Sequence, residues 1–111
     1  MTFKNLIFTS FISLILFNCS SNDDSDIPDL KITYDSNIKS IMSNNCTNCH
    51  GSPTTSGAPM SLTTYNQVKS NINNIINRIN SASSPMPQSG LMPITTRNII
   101  QQWKDDGLLE N

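Results

Sequence analysis

Cys46-Thr47-Asn48-Cys49-His50 is the stretch whose reading decides the fold. On a helical turn, residues i, i+3 and i+4 share a face, so two thiols and an imidazole point the same way. His50 is the sole histidine, and the third cysteine, Cys19, sits in a different context. A closed zinc site needs four nitrogen or sulfur ligands, so Cys46, Cys49 and His50 would need a second chain to complete one. A thioredoxin-like dithiol needs a βαβ setting, and no strand–helix alternation is visible.

The amino terminus gives the compartment. Met1 to Asn5 holds one lysine, Lys4, and Leu6 to Phe17 is almost wholly apolar. That is a short basic region followed by an apolar one too short for a permanent membrane helix. Leu16-Phe17-Asn18-Cys19 follows and resembles a bacterial lipoprotein signal, in which Cys19 is lipidated and begins the mature protein. Asn18 departs from the small residue such signals usually carry there. Residues 1–18 are therefore expected to be a signal peptide.

Residues 19–30 run Ser20-Ser21-Asn22-Asp23-Asp24-Ser25-Asp26-Ile27-Pro28-Asp29 after the cysteine. A segment so acidic and so poor in apolar residues cannot fold alone and reads as a flexible tether. Its Ser/Asp run resembles the export signals of surface lipoproteins in the Bacteroidetes. The resemblance implies a lipid anchor outside the cytoplasm, in the outer membrane, facing the periplasm or the cell surface.

Charge separates along the chain. The tether holds four of the eight acids and no base. From Lys31 onward six bases face four acids, a net charge of +2. The bases are scattered and no aromatics interleave with them, so nothing points to nucleic acid. The frequent asparagines, Asn71, Asn73, Asn74, Asn77 and Asn80, read as solvated helix faces rather than a site.

Residues 31–111 form one small domain, and three amphipathic segments account for it. The first covers about residues 36–45, capped by Asp35 or Ser36, with Ile38, Ile41 and Met42 on a stripe that Cys46 continues. The second starts at a Thr63 or Thr64 cap and carries Tyr65, Val68, Ile72, Ile75, Ile76 and Ile79, with a break expected near Ser70. The third runs from a Thr95 or Thr96 cap to Asp106, with Ile99, Ile100 and Trp103 on one face and Gly107 just past its end. No alternating strand pattern of useful length exists, so the fold class is all-α. A domain of roughly 80 residues is marginal without a staple.

C-x-x-C-H is the attachment signature of c-type haem. With Ser84-Pro85-Met86-Pro87 and a Trp-bearing closing helix, the domain resembles the small monohaem c-type cytochromes, class I-like, here on a lipoprotein. The resemblance implies helices wrapped around one covalent haem c, with thioether bonds from Cys46 and Cys49 and His50 on the iron. The haem would supply the missing core, so Cys46→Ala/Cys49→Ala is expected to leave a largely unfolded chain. The second ring nitrogen of His50 needs a partner, expected to be a carbonyl of the Pro53–Pro59 loop.

A second histidine ligand is excluded within this chain, which leaves methionine for the sixth position. Met42 lies a turn before Cys46 and reads as core packing, and Met60 is so close to His50 that it stays on the proximal side. Met86 is the expected metal ligand with His50, and Met92 is the alternative. With both axial positions filled, the protein is expected to be an electron carrier rather than an enzyme, exchanging single electrons with donor and acceptor proteins. The alternatives are a haem subunit of a larger membrane oxidoreductase, a five-coordinate haem that binds a gas or peroxide, and a haem-free lipoprotein with a Cys46–Cys49 disulfide.

Overall fold

The first and second helical segments begin where threonine side chains satisfy free N–H groups. In the computed structural model, which describes residues 30–111, Thr33 Oγ1 accepts from Ser36 N at 3.2 Å. It opens a π-helical turn, Tyr34–Ile38, that continues directly into α1, Lys39–Asn45. The wide turn shows in bonds that span five residues, such as Ile38 N to Thr33 O at 3.3 Å. The cap is thus Thr33 and not Asp35 or Ser36, because starting earlier lets the Tyr34 ring join the core. The expected signal peptide, Cys19 and the tether up to residue 29 lie outside the described residues.

Helix α2, Tyr65–Ile79, is closed by a capping box. Thr64 Oγ1 accepts from Gln67 N at 3.3 Å, while Gln67 Oε1 accepts from Thr64 N at 3.2 Å and Thr63 N at 2.9 Å. The break expected near Ser70 does not occur. Ser70 is exposed, and Val68, Ile72, Ile75 and Ile79 keep one unbroken buried stripe on either side of it. That stripe gives the helix a reason to continue that one serine's weak propensity cannot cancel.

Helix α3, Ile94–Asp105, starts on Pro93, with no side-chain cap from Thr95 or Thr96. The proline ring presets the backbone (φ −50°) for helical entry, so the threonines fall inside the helix. Its end is as expected. Gly107 takes φ +97°, its N–H reaches Lys104 O at 3.1 Å, and Leu108 N reaches Trp103 O at 2.9 Å. These two bonds make a Schellman motif, which needs a residue without a Cβ clash at Gly107.

The core joins Tyr34, Ile38 and Met42 to the α2 stripe and to Ile100 and Trp103 of α3. Trp103 is fully buried, and its Nε1–H donates to Leu109 O at 2.8 Å. Tyr65 donates its hydroxyl to Leu108 O at 2.8 Å, and its ring meets Tyr34 edge-on at 5.6 Å. The carboxy-terminal tail returns to the first helix, where Tyr34 N reaches Leu109 O at 2.8 Å and Asp35 N reaches Glu110 O at 2.9 Å. Among the described residues the architecture is all-α, without a strand. None of these helices is long and apolar enough to cross a membrane.

Candidate cofactor site

Cys46 caps the carboxyl end of α1, and its N–H bonds Met42 O at 2.8 Å. The chain then makes one further turn: Cys46 O accepts from Cys49 N at 3.2 Å and from His50 N at 2.9 Å. Cys46, Cys49 and His50 therefore sit together on one side of that turn, and all three are half-buried. Both cysteines carry free thiols.

The loop that follows folds back over the turn. Thr55 N bonds Cys49 O at 2.8 Å, Thr55 Oγ1 bonds Asn48 O at 2.8 Å, and Leu62 N bonds His50 O at 2.8 Å. Gly51 is required here: a Cβ on it would lie 2.8 Å from Thr47 O, a backbone atom that cannot swing aside. The return strand of the loop places Met60 O 2.8 Å from His50 Nδ1. The partner is one residue beyond the expected Pro53–Pro59 stretch, because the Leu62–His50 bond sets the register. A carbonyl only accepts, so Nδ1 carries a proton, and in the neutral ring Nε2 is the nitrogen that bears the lone pair.

Cys46, Cys49, His50, Met60 and Met86 all line one cavity of about 610 Å³ between this turn and α2. That volume is in the range of cofactor sites, roughly 300–1,000 Å³. Met86 N donates to Arg78 O at 3.1 Å, which fastens the Ser84–Pro87 loop to the last turn of α2. Met92 is not among the lining residues. It is only 5% exposed and packs in the core, and its carbonyl accepts from Arg97 Nε at 3.0 Å. Met42 is likewise buried in the core.

Burial pushes the Cys46 thiol up from 9.0 to about 11. An activated redox thiol needs the opposite, a lowered pKa. Cys46 also stands at the negative end of a helix, whereas activated thiols favour the positive end. Among the described residues, no three His, Cys, Asp or Glu side chains converge closely enough to hold a bare metal ion. The two cysteines, the histidine and Met86 instead all border the same chamber.

The α2 wall was not legible as a site. Asn71, Asn74 and Asn77, which read as solvated faces, line the cavity together with Arg78, Ile75 and Ile79, while Asn74, Asn77 and Arg78 stay exposed. The signal was present in their spacing, since Asn71, Asn74 and Arg78 follow i, i+3, i+7 along one flank of the apolar stripe. No protein-family model, no curated protein and no solved structure matches this chain.

Proposed function

We propose that the domain is a membrane-tethered c-type cytochrome that carries single electrons on one covalently attached haem. The observation that carries the reading is that Cys46, Cys49, His50 and Met86 meet in one cavity, with the His50 ring already oriented. The lining fits such a group: a face of Leu62, Ile75 and Ile79 for the ring, and soft sulfur and imidazole donors for vinyl carbons and iron. Haem bound there would supply a one-electron ferric/ferrous couple, with a potential raised by thioether ligation.

The chain's own residues set the rest. Cys46 and Cys49 would hold the ligand covalently, so it is not lost to the medium. Met60 O fixes the His50 tautomer and leaves Nε2 as the ligating nitrogen. Pro85 and Pro87 stiffen the backbone on either side of Met86, and Arg78 O anchors its N–H. If His50 and Met86 both held the iron, no position would be left for substrate, and the role would be transfer and not catalysis. A lipid on Cys19 with residues 19–30 as tether would keep the carrier near its donor and acceptor at high effective concentration.

The test is the visible spectrum, oxidised and reduced, of the full chain matured outside the cytoplasm. Colour that stays with the denatured polypeptide, with an Fe(III)–thioether charge-transfer band in the native protein, is the expected result. A colourless chain overturns the proposal. Rapid carbon monoxide binding to the reduced form would favour a five-coordinate, ligand-binding haem, and stable co-purification with a partner would favour a docked subunit.

A further inference from the structure

The cavity wall built by α2 carries a cation beside several amides. Among the described residues Arg78 is the one Lys or Arg that lines the cavity, and no Asp or Glu lines it. An anion placed there meets a cation and no like charge. The neighbouring amides divide into two groups. Asn71 Nδ2 donates back to Gln67 O at 2.8 Å and Asn80 Nδ2 to Ile76 O at 2.9 Å. The polar ends of Asn74, Asn77 and Arg78 have no such bond among the described residues. Arg97, by contrast, is committed, with Nε on Met92 O and Nη1 on Asn80 Oδ1 at 2.7 Å.

Haem bears its vinyl groups on one half of the ring and its propionates on the other. Attachment at Cys46 and Cys49 therefore turns the carboxylates away from that turn. We infer that Asn74, Asn77 and Arg78 form a carboxylate-binding ledge, which takes the propionate end of the ligand held by Cys46 and Cys49; this rests on the haem reading. The guanidinium offers paired donors that match a carboxylate, and the amides add neutral donors beside it. The alternative is that Arg78 merely complements the negative end of α2, whose last turn it occupies.

The two roles separate experimentally. The full-length holoprotein is prepared with haem labelled with carbon-13 at the propionate carboxyls, and its infrared carboxylate bands are recorded. Arg78→Gln is expected to shift those bands, and Arg78→Lys to restore them in part. Loss of the cation should also lower the equilibrium constant for reduction about fivefold, because a nearby positive charge favours ferrous over ferric iron. Lys69→Gln removes a cation from α2 that does not line the cavity, and it should leave the bands in place.

The side chain of Arg78 is exposed and its carbonyl does the anchoring of Met86, so the fold should survive. If it does not, Asn77→Asp sets a carboxylate in the ledge and should move the same bands. A haem-bearing Arg78→Gln protein with native bands and native potential overturns this inference alone. A chain without haem overturns it together with the proposed function.

Discussion

Met86 and Met92 both precede a proline and both lie between α2 and the end of the chain's last loop, yet they should fail in opposite ways. Met92 is 5% exposed, sits in the core and does not line the cavity. Truncating a buried methionine to alanine costs about 2–5 kcal/mol, lost transfer energy plus the cavity left behind. For a domain this small, each kcal/mol lowers Tm by roughly 4–8 °C, so Met92→Ala should melt at least about 8 °C lower. Its haem spectrum should stay native. Met86 is half-buried, and its backbone N–H, which the substitution keeps, holds the loop to Arg78 O. Met86→Ala should therefore keep its helical circular dichroism but lose the Fe(III)–thioether band, and its reduced form should bind carbon monoxide. The assay is a paired melt and oxidised spectrum of both variants. A band that survives Met86→Ala and vanishes in Met92→Ala would refute the assignment, and the argument from cavity lining with it.

Gly51→Ala forces a Cβ to 2.8 Å from Thr47 O, so the turn bearing both cysteines must open; less haem per chain in a pyridine haemochrome assay is expected. Thr64→Ala removes one half of the capping box at the start of α2, and chemical denaturation should show a loss of about 1 kcal/mol with an unchanged m-value. In a Cys49→Ser chain prepared without haem, alkylation of Cys46 should reach its midpoint near pH 11 instead of 9.0. The sign follows from burial: the folded state holds the proton more tightly, so its advantage is intact below pH 9.0 and fades by roughly 3 kcal/mol as pH rises to about 11.

The parts of the fold that were legible in the sequence are those with a local physical cause. The stripe of Val68, Ile72, Ile75 and Ile79, the Thr64 cap and the left-handed Gly107 each announce themselves within a few residues. The start of α3 was misplaced because Pro93 replaces a side-chain cap with a preset backbone, and the break at Ser70 because helix length was weighed above the unbroken stripe. The Cys46–His50 turn was visible from spacing alone. The partner of His50 Nδ1 was not, since Met60 O reaches it only through the Leu62–His50 bond that registers the loop. Asn73, Asn74, Asn77 and Asn80 are exposed, as expected of solvated faces; that Asn71, Asn74 and Asn77 also border a cavity was not legible, because it depends on what packs opposite, and that is a tertiary fact.

That tertiary arrangement also changes what removal of the cofactor should do. From size alone, a chain without haem was expected to be largely unfolded. The core, however, has its most buried members away from the cavity: Trp103, Ile38, Ile100 and Val68 are 0% exposed and none of them lines it. Only Leu62, Ile75 and Ile79 belong to both. The tail bonds from Leu109 and Glu110 to the first helix close that core independently. The apolar surface that a ligand would cover is therefore confined to the end of α2, the Cys46–Leu62 segment and the Met86 loop. In Cys46→Ala/Cys49→Ala, hydrogen exchange should stay slow in α3 and the Tyr34–Ile38 turn, while the amides of residues 46–62 and 84–90 exchange faster than in the haem-bearing protein. Uniform fast exchange would mean that the aromatic cluster cannot hold itself together, and that the ligand completes the whole core and not one wall of it.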